Sequence, residues 1–80
     1  MLFNRPRATA AMERAGLDLL LLADPRTFLY ATDFTAPSTF SFLDRPFLAL
    51  VSPDTTQAIV PSWDYDDFRA RSWVRDVAGY

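Results

Sequence analysis

The 80-residue chain contains no cysteine, no histidine and no lysine, and only two glycines. Without cysteine, neither a disulfide nor a thiolate metal site can staple the fold, and the lack fits the cytoplasm, the expected location. Without histidine, the commonest general base near neutral pH is missing. All eight cations are arginines, set against ten acids for a net charge of −2, and they form no basic run. A nucleic-acid binder shows a one-sided basic footprint, so no nucleic-acid partner is expected. With only Gly16 and Gly79 there is no glycine-rich phosphate cradle, and no serine sits in a Gly-x-Ser-x-Gly elbow. The longest apolar run, residues 19–23, is far too short to span a bilayer. The start, M-L-F-N-R-P-R, leads into a polar, alanine-rich stretch rather than the apolar centre of a signal peptide. A soluble domain with no membrane partner is expected.

What remains is rich in core-forming material. Half of the residues are apolar and 15% are aromatic, which excludes disorder. A chain this short buries only about 60–65% of its unfolded surface, so its stability on its own is marginal. Packing, docking onto more protein or oligomerisation has to supply the rest.

Residues 5–15 read as a helix. Pro6 suits a first turn, and Ala8, Ala11, Met12 and Ala15 recur at helical spacing. Gly16 follows as the left-handed cap, or else as a flexible joint. Residues 17–23 (L-D-L-L-L-L-A) do not alternate and predict a strand covered on both faces. Asp24-Pro25 then opens a short helix over 25–31, with Phe28, Leu29 and Tyr30 as its inward candidates. Residues 32–44 carry no clean period, yet Phe34, Phe40 and Phe42 lie around the turn-like A-P-S-T. A loop of about a dozen residues is long enough to suspect function, or else to be packed against further protein. Residues 46–52 and 57–61 predict the strands of an antiparallel hairpin around P-D-T-T. Ser62 caps a helix to Arg71 with Asp64, Asp66 and Asp67 in its first turn, where the helix dipole favours acids. Residues 73–78 read as the last strand. The order helix, strand, helix, hairpin, helix, strand is an α/β layer with a mixed sheet and flanking helices.

The series M-E-R-A-G-L-D-L-L-L-L-A-D-P-R-T-F-L-Y-A-T-D-F (residues 12–34) resembles the opening of the creatinase/prolidase N-terminal domain. The hairpin ending in Val60-Pro61 and the acidic helix and strand of residues 62–80 follow in that family's order. The weight lies in order and spacing, since no single element is specific. Asp33 stands where many relatives have glycine, a departure that creatinase-like members share. The resemblance implies that residues 1–80 are a truncated N-terminal domain whose catalytic C-terminal domain, of the pita-bread fold, is absent. The parent so implied is a Xaa-Pro aminopeptidase or dipeptidase, or a creatinase-like hydrolase, acting on a small peptide or a guanidino acid. It also implies divalent metal ions in that other domain and none here, and a homodimer in which this domain helps wall the partner subunit's substrate site. The alternative is a stand-alone interaction module without a catalytic half.

The pita-bread metal site needs two Asp, one His and two Glu, whereas this chain has no histidine and only Glu13 as glutamate. No catalytic centre and no metal site are therefore expected in these residues. Asp64, Asp66 and Asp67 suggest hard-cation binding, but on a helix only 64 and 67 share a face. The strongest candidate is S-F-L-D-R-P (residues 41–46), which resembles a creatinase stretch with one residue fewer between Phe and Arg. The resemblance implies that Phe42 and Arg45 reach toward substrate. A guanidinium fork holds a carboxylate through two parallel hydrogen bonds, and an aromatic face covers a cationic or planar group. The simpler reading pairs Arg45 with Asp44 or another nearby acid and places Phe42 in the core. Trp63, Tyr65, Trp73 and Tyr80 are expected in the core or at an interface.

Overall fold

The computed structural model describes residues 1–35 and 46–80. The chain runs α1 (Arg5–Ala15), β1 (Leu20–Leu22), α2 (Pro25–Thr32), β2 (Leu48–Val51), β3 (Thr56–Val60), a 3-10 turn (Ser62–Asp64), α3 (Tyr65–Arg71) and β4 (Asp76–Gly79). This is the expected α/β class. Local chemistry sets the helix ends. The Asn4 side chain accepts from the Arg7 N–H ahead of Pro6, and Gly16 closes α1 at φ 70°. In α2 the Asp24 carboxylate accepts from the N–H groups of Arg26 and Thr27, and Pro25 fills the first position.

The strands lie in the order β1-β2-β3-β4 in one mixed sheet. β1 and β3 each pair antiparallel with β2, with Leu21 opposite Leu50 and Leu48 opposite Ile59. β4 joins parallel to β3, with Ile59 opposite Ala78, which requires the crossover that α3 supplies. Ala49, Val51, Ala58 and Val60 point to one face and form a single core with Phe28, Ala31, Phe34, Phe47, Phe68 and Val74. The aromatic rings interlock there, Phe34 lying 5.1 Å from Phe68 and Phe28 5.6 Å from Phe47.

Several boundaries differ from the sequence reading. The strand expected over 17–23 pairs only at Leu20–Leu22, and Leu17, Leu19 and Leu21 are 45%, 51% and 59% exposed. It is an edge strand with one bare face rather than a strand covered on both sides. The last strand begins at Asp76 instead of residue 73, because Val74 is buried and Trp73 packs against the core instead of extending the ladder. Ser62 makes no side-chain cap; it opens the 3-10 turn, so Asp64 precedes α3 and only Asp66 and Asp67 occupy its first turn. Tyr30 is 38% exposed rather than packed inward. Gly79 allows β4 to pass close beneath α3, since a Cβ there would lie 3.3 Å from Tyr65 Cδ2.

Candidate functional site

Phe42 and Arg45, the residues for which a substrate contact is expected, lie outside the described residues. The structure does show how both flanks of residues 36–45 are held. On the N-terminal side, Arg71 Nη2 donates to the Thr35 carbonyl at 2.8 Å. Its guanidinium is oriented by Asp67, which accepts from Nε at 3.0 Å and from Nη2 at 2.8 Å, and it lies 4.7 Å from the centre of the Phe34 ring. On the C-terminal side, the Tyr80 hydroxyl donates to the Pro46 carbonyl at 2.7 Å. Both anchors come from the C-terminal third of the chain. The Asp67–Arg71 pair has the i,i+4 spacing with the acid first, a signal readable in the sequence. The tie from Tyr80 to Pro46 spans 34 residues and has no local signature.

The end of α2 is fixed by a buried hydrogen-bond network. Thr32 Oγ1 donates to the Phe28 carbonyl at 2.8 Å and accepts from the Phe34 N–H at 3.2 Å. Ser72, at the end of α3, donates from Oγ to the Thr32 carbonyl at 2.5 Å and accepts from the Val74 N–H at 3.1 Å. This buried network joins the ends of two helices 40 residues apart in sequence. Between Thr32 and Phe34, Asp33 adopts φ 62°, a left-handed conformation that glycine occupies more readily. Its carboxylate accepts from the Leu2 N–H at 3.0 Å and lies 3.5 Å from the Met1 amino group. The N-terminal arm is held further by Phe3, which stacks on Trp73 at 6.0 Å and meets the edge of Tyr30 at 5.6 Å.

Asp24 has its acidity strengthened chiefly by the Thr27 hydroxyl and then by the Arg26 and Thr27 N–H groups, so its pKa falls below the ordinary value. Among the described residues no group of three or more His, Cys, Asp or Glu is placed to hold a metal ion. Within the aspartate cluster, Asp67 is engaged by Arg71. Among the described residues no helix is long and apolar enough to cross a membrane. Tyr65 and Trp73 pack against the core, whereas Trp63 is 61% and Tyr80 47% exposed.

Comparison with known proteins places this arrangement. None of the curated proteins matches the chain in sequence. The fold is similar to that of a proline dipeptidase from Streptococcus pneumoniae TIGR4, with a TM-score of 0.77 and 22% identity over 96% of this chain and 54% of that one. It is similar also to an Xaa-Pro aminopeptidase from Streptococcus pyogenes, with a TM-score of 0.74 and 17% identity over 95% of this chain and 53% of that one. The prolidase from Pyrococcus horikoshii OT3 matches with a TM-score of 0.76 and 14% identity, over 95% of this chain and 20% of that one. The chain thus spans about half the length of the first two structures and about a fifth of the third. At these identities the likeness establishes the fold. The family model of the Creatinase/Prolidase N-terminal domain matches residues 5–80, nearly the whole chain, and the chain belongs to that family.

Proposed function

We propose that this domain is the non-catalytic N-terminal part of a Xaa-Pro peptidase or creatinase-like hydrolase, supporting dimerisation and helping to wall the partner subunit's substrate site. The observation that carries the reading is the family match over residues 5–80 in a chain with no histidine and a single glutamate. Such a chain lacks the donors a dinuclear hydrolase needs, so its contribution is shape and recognition. In this reading Arg45 forks a substrate carboxylate while Phe42 covers the rest of a small peptide or guanidino acid. Divalent metal ions, where the parent uses them, belong to its catalytic domain. The hydrogen bonds from Arg71 to Thr35 and from Tyr80 to Pro46 support the reading, because they hold the flanks of the segment that carries both residues. The cytoplasm remains the proposed location.

Intact mass and light scattering on the natural protein test the domain assignment. A dimer of a much longer polypeptide is expected, and a stable species of 9.1 kDa would overturn it in favour of a self-standing module. In the long form, Arg45→Ala is expected to raise KM for an Xaa-Pro dipeptide by about tenfold, the loss of one charge-assisted contact. An unchanged KM would remove Arg45 from the substrate site.

A further inference from the structure

We propose that residues 2–4 form a releasable strap, whose seating against α2 and Trp73 holds the left-handed turn at Asp33. The strap lies ahead of α1, has no regular secondary structure and belongs to no strand of the sheet. The Leu2 N–H donates to the Asp33 carboxylate at 3.0 Å, and the Asn4 N–H donates to the Tyr30 hydroxyl at 3.1 Å. Between them Phe3 is 6% exposed, its ring stacked on Trp73 at 6.0 Å and against the edge of Tyr30 at 5.6 Å. The Leu2 side chain stays exposed, so the ring of Phe3 carries the apolar contact.

The helix that follows is fixed without the strap. Arg5, its first residue, donates to the Ser52 carbonyl and to Thr56 Oγ1, and Met12 is buried farther along. The Asn4 side chain caps α1 by accepting from the Arg7 N–H, whereas the backbone N–H of Asn4 is turned to α2. Release therefore hinges at Asn4 and leaves the cap and the tie to the β2–β3 turn in place. The balance between seated and released strap is close. One buried ring and two hydrogen bonds favour seating, by an amount of the same order as the entropy lost in fixing the residues that make them. The wall of the seat is held by packing, since Trp73 Nε1 is buried with no hydrogen-bond partner among the described residues.

Seating acts on the turn through the Asp33 carboxylate. Asp33 adopts φ 62°, which costs a residue other than glycine, and the Leu2 N–H engages its side chain. The same residue closes α2 by donating its N–H to the Leu29 carbonyl. Phe34, the next residue, enters the core with its N–H on Thr32 Oγ1. When the strap leaves, Asp33 keeps the backbone cost and loses the contact that offsets it. The strap thereby couples the chain ahead of α1 to the stretch that Arg71 holds at the Thr35 carbonyl. This coupling stands whether or not that stretch borders a substrate site.

Amide hydrogen exchange, followed residue by residue by NMR in the protein and in its Phe3→Ala and Tyr30→Phe variants, tests the strap. In the parent the Asn4 amide is expected to exchange by local opening, at least about tenfold faster than the slowest amides of the β2–β3 ladder. Phe3→Ala should raise exchange at Asn4 and Phe34 by about tenfold or more and leave the ladder unchanged. Tyr30→Phe removes only an acceptor on a ring that is 38% exposed, so the fold is kept. A rise of about fivefold at both amides is expected there, the loss of one hydrogen bond. If Asn4, Phe34 and the ladder speed up together in either variant, the strap melts only with the whole domain and its release is overturned. A rise at Asn4 without one at Phe34 overturns the hold on the Asp33 turn. Unchanged exchange at Asn4 in both variants overturns the seat itself.

Discussion

Arg5 Nη1 donates to the Ser52 carbonyl at 2.7 Å, tying the first residue of α1 to the end of β2 across 47 positions of sequence. The same guanidinium reaches the Pro53 and Thr55 carbonyls at 3.3 Å, and its Nη2 donates to Thr56 Oγ1 at 2.6 Å. It also lies 5.0 Å from the centre of the Phe3 ring. One side chain thus organises the β2–β3 turn, whose carbonyls point inward to a cation. Arg5→Ala is expected to destabilise the domain by about 2 kcal/mol, the scale of a few hydrogen bonds to a charged donor. Arg5→Lys should recover less than half, because an ammonium cannot span the turn as a planar fork. Urea denaturation of the three proteins measures both.

Asp33 offsets a backbone cost with a tertiary contact. Replacement by alanine keeps the left-handed conformation and loses the bond to the Leu2 N–H, so a loss of about 1–2 kcal/mol is expected. Replacement by glycine loses the same bond but relieves the backbone, and should fall within about 0.5 kcal/mol of the parent. If the alanine and glycine variants unfold at the same urea concentration, the conformational argument fails.

Ser72 carries two buried hydrogen bonds through one oxygen, to the Thr32 carbonyl and from the Val74 N–H. Ser72→Ala leaves both backbone groups buried without that partner and is expected to cost about 2–3 kcal/mol. That is a large share of the stability of an 80-residue domain. Amide hydrogen exchange should show the loss concentrated at the ends of α2 and α3, where the network joins them. Uniform loosening of the sheet would contradict this.

Asp24 gives α2 a pH dependence of known sign. Its folded pKa is depressed, first by Thr27, so its contribution is complete above the ordinary carboxylate range and is lost as pH falls through the folded value. Asp24→Asn keeps a capping oxygen without the titration. The difference in Tm between parent and variant should therefore be constant at neutral pH and change only below about pH 4. A difference that varies between pH 5 and 8 would show that another group is responsible.

The helices were legible because their signals are adjacent in sequence. Pro6, Gly16, and Asp24 with Pro25 mark the limits of α1 and the start of α2 in the sequence, whereas the Asn4 cap emerges only from the structure. Strand limits were less legible, since a residue joins a ladder only where a partner lies opposite. Leu17 and Leu19 have the composition of a strand but precede the paired residues of β1, and Trp73 and Val74 leave the ladder to complete the core. The candidate site was legible only as residue types: Phe42 and Arg45 lie outside the described residues, while the anchors Arg71 and Tyr80 emerge from contacts 36 and 34 positions long.

Composition and local order by themselves determined the α/β class, the caps at Gly16 and Asp24, the hairpin and the lack of a dinuclear ligand set, because each depends on residues present or absent within a few positions. Tertiary structure alone decided that Leu20 and Leu22 of β1 pack against the core while Leu21 between them, and Leu17 and Leu19 before them, stay exposed. The physical reason is that an apolar strand specifies burial on both faces without naming what covers them. Which face is filled depends on where the connections carry the helices, and that is a property of the whole chain.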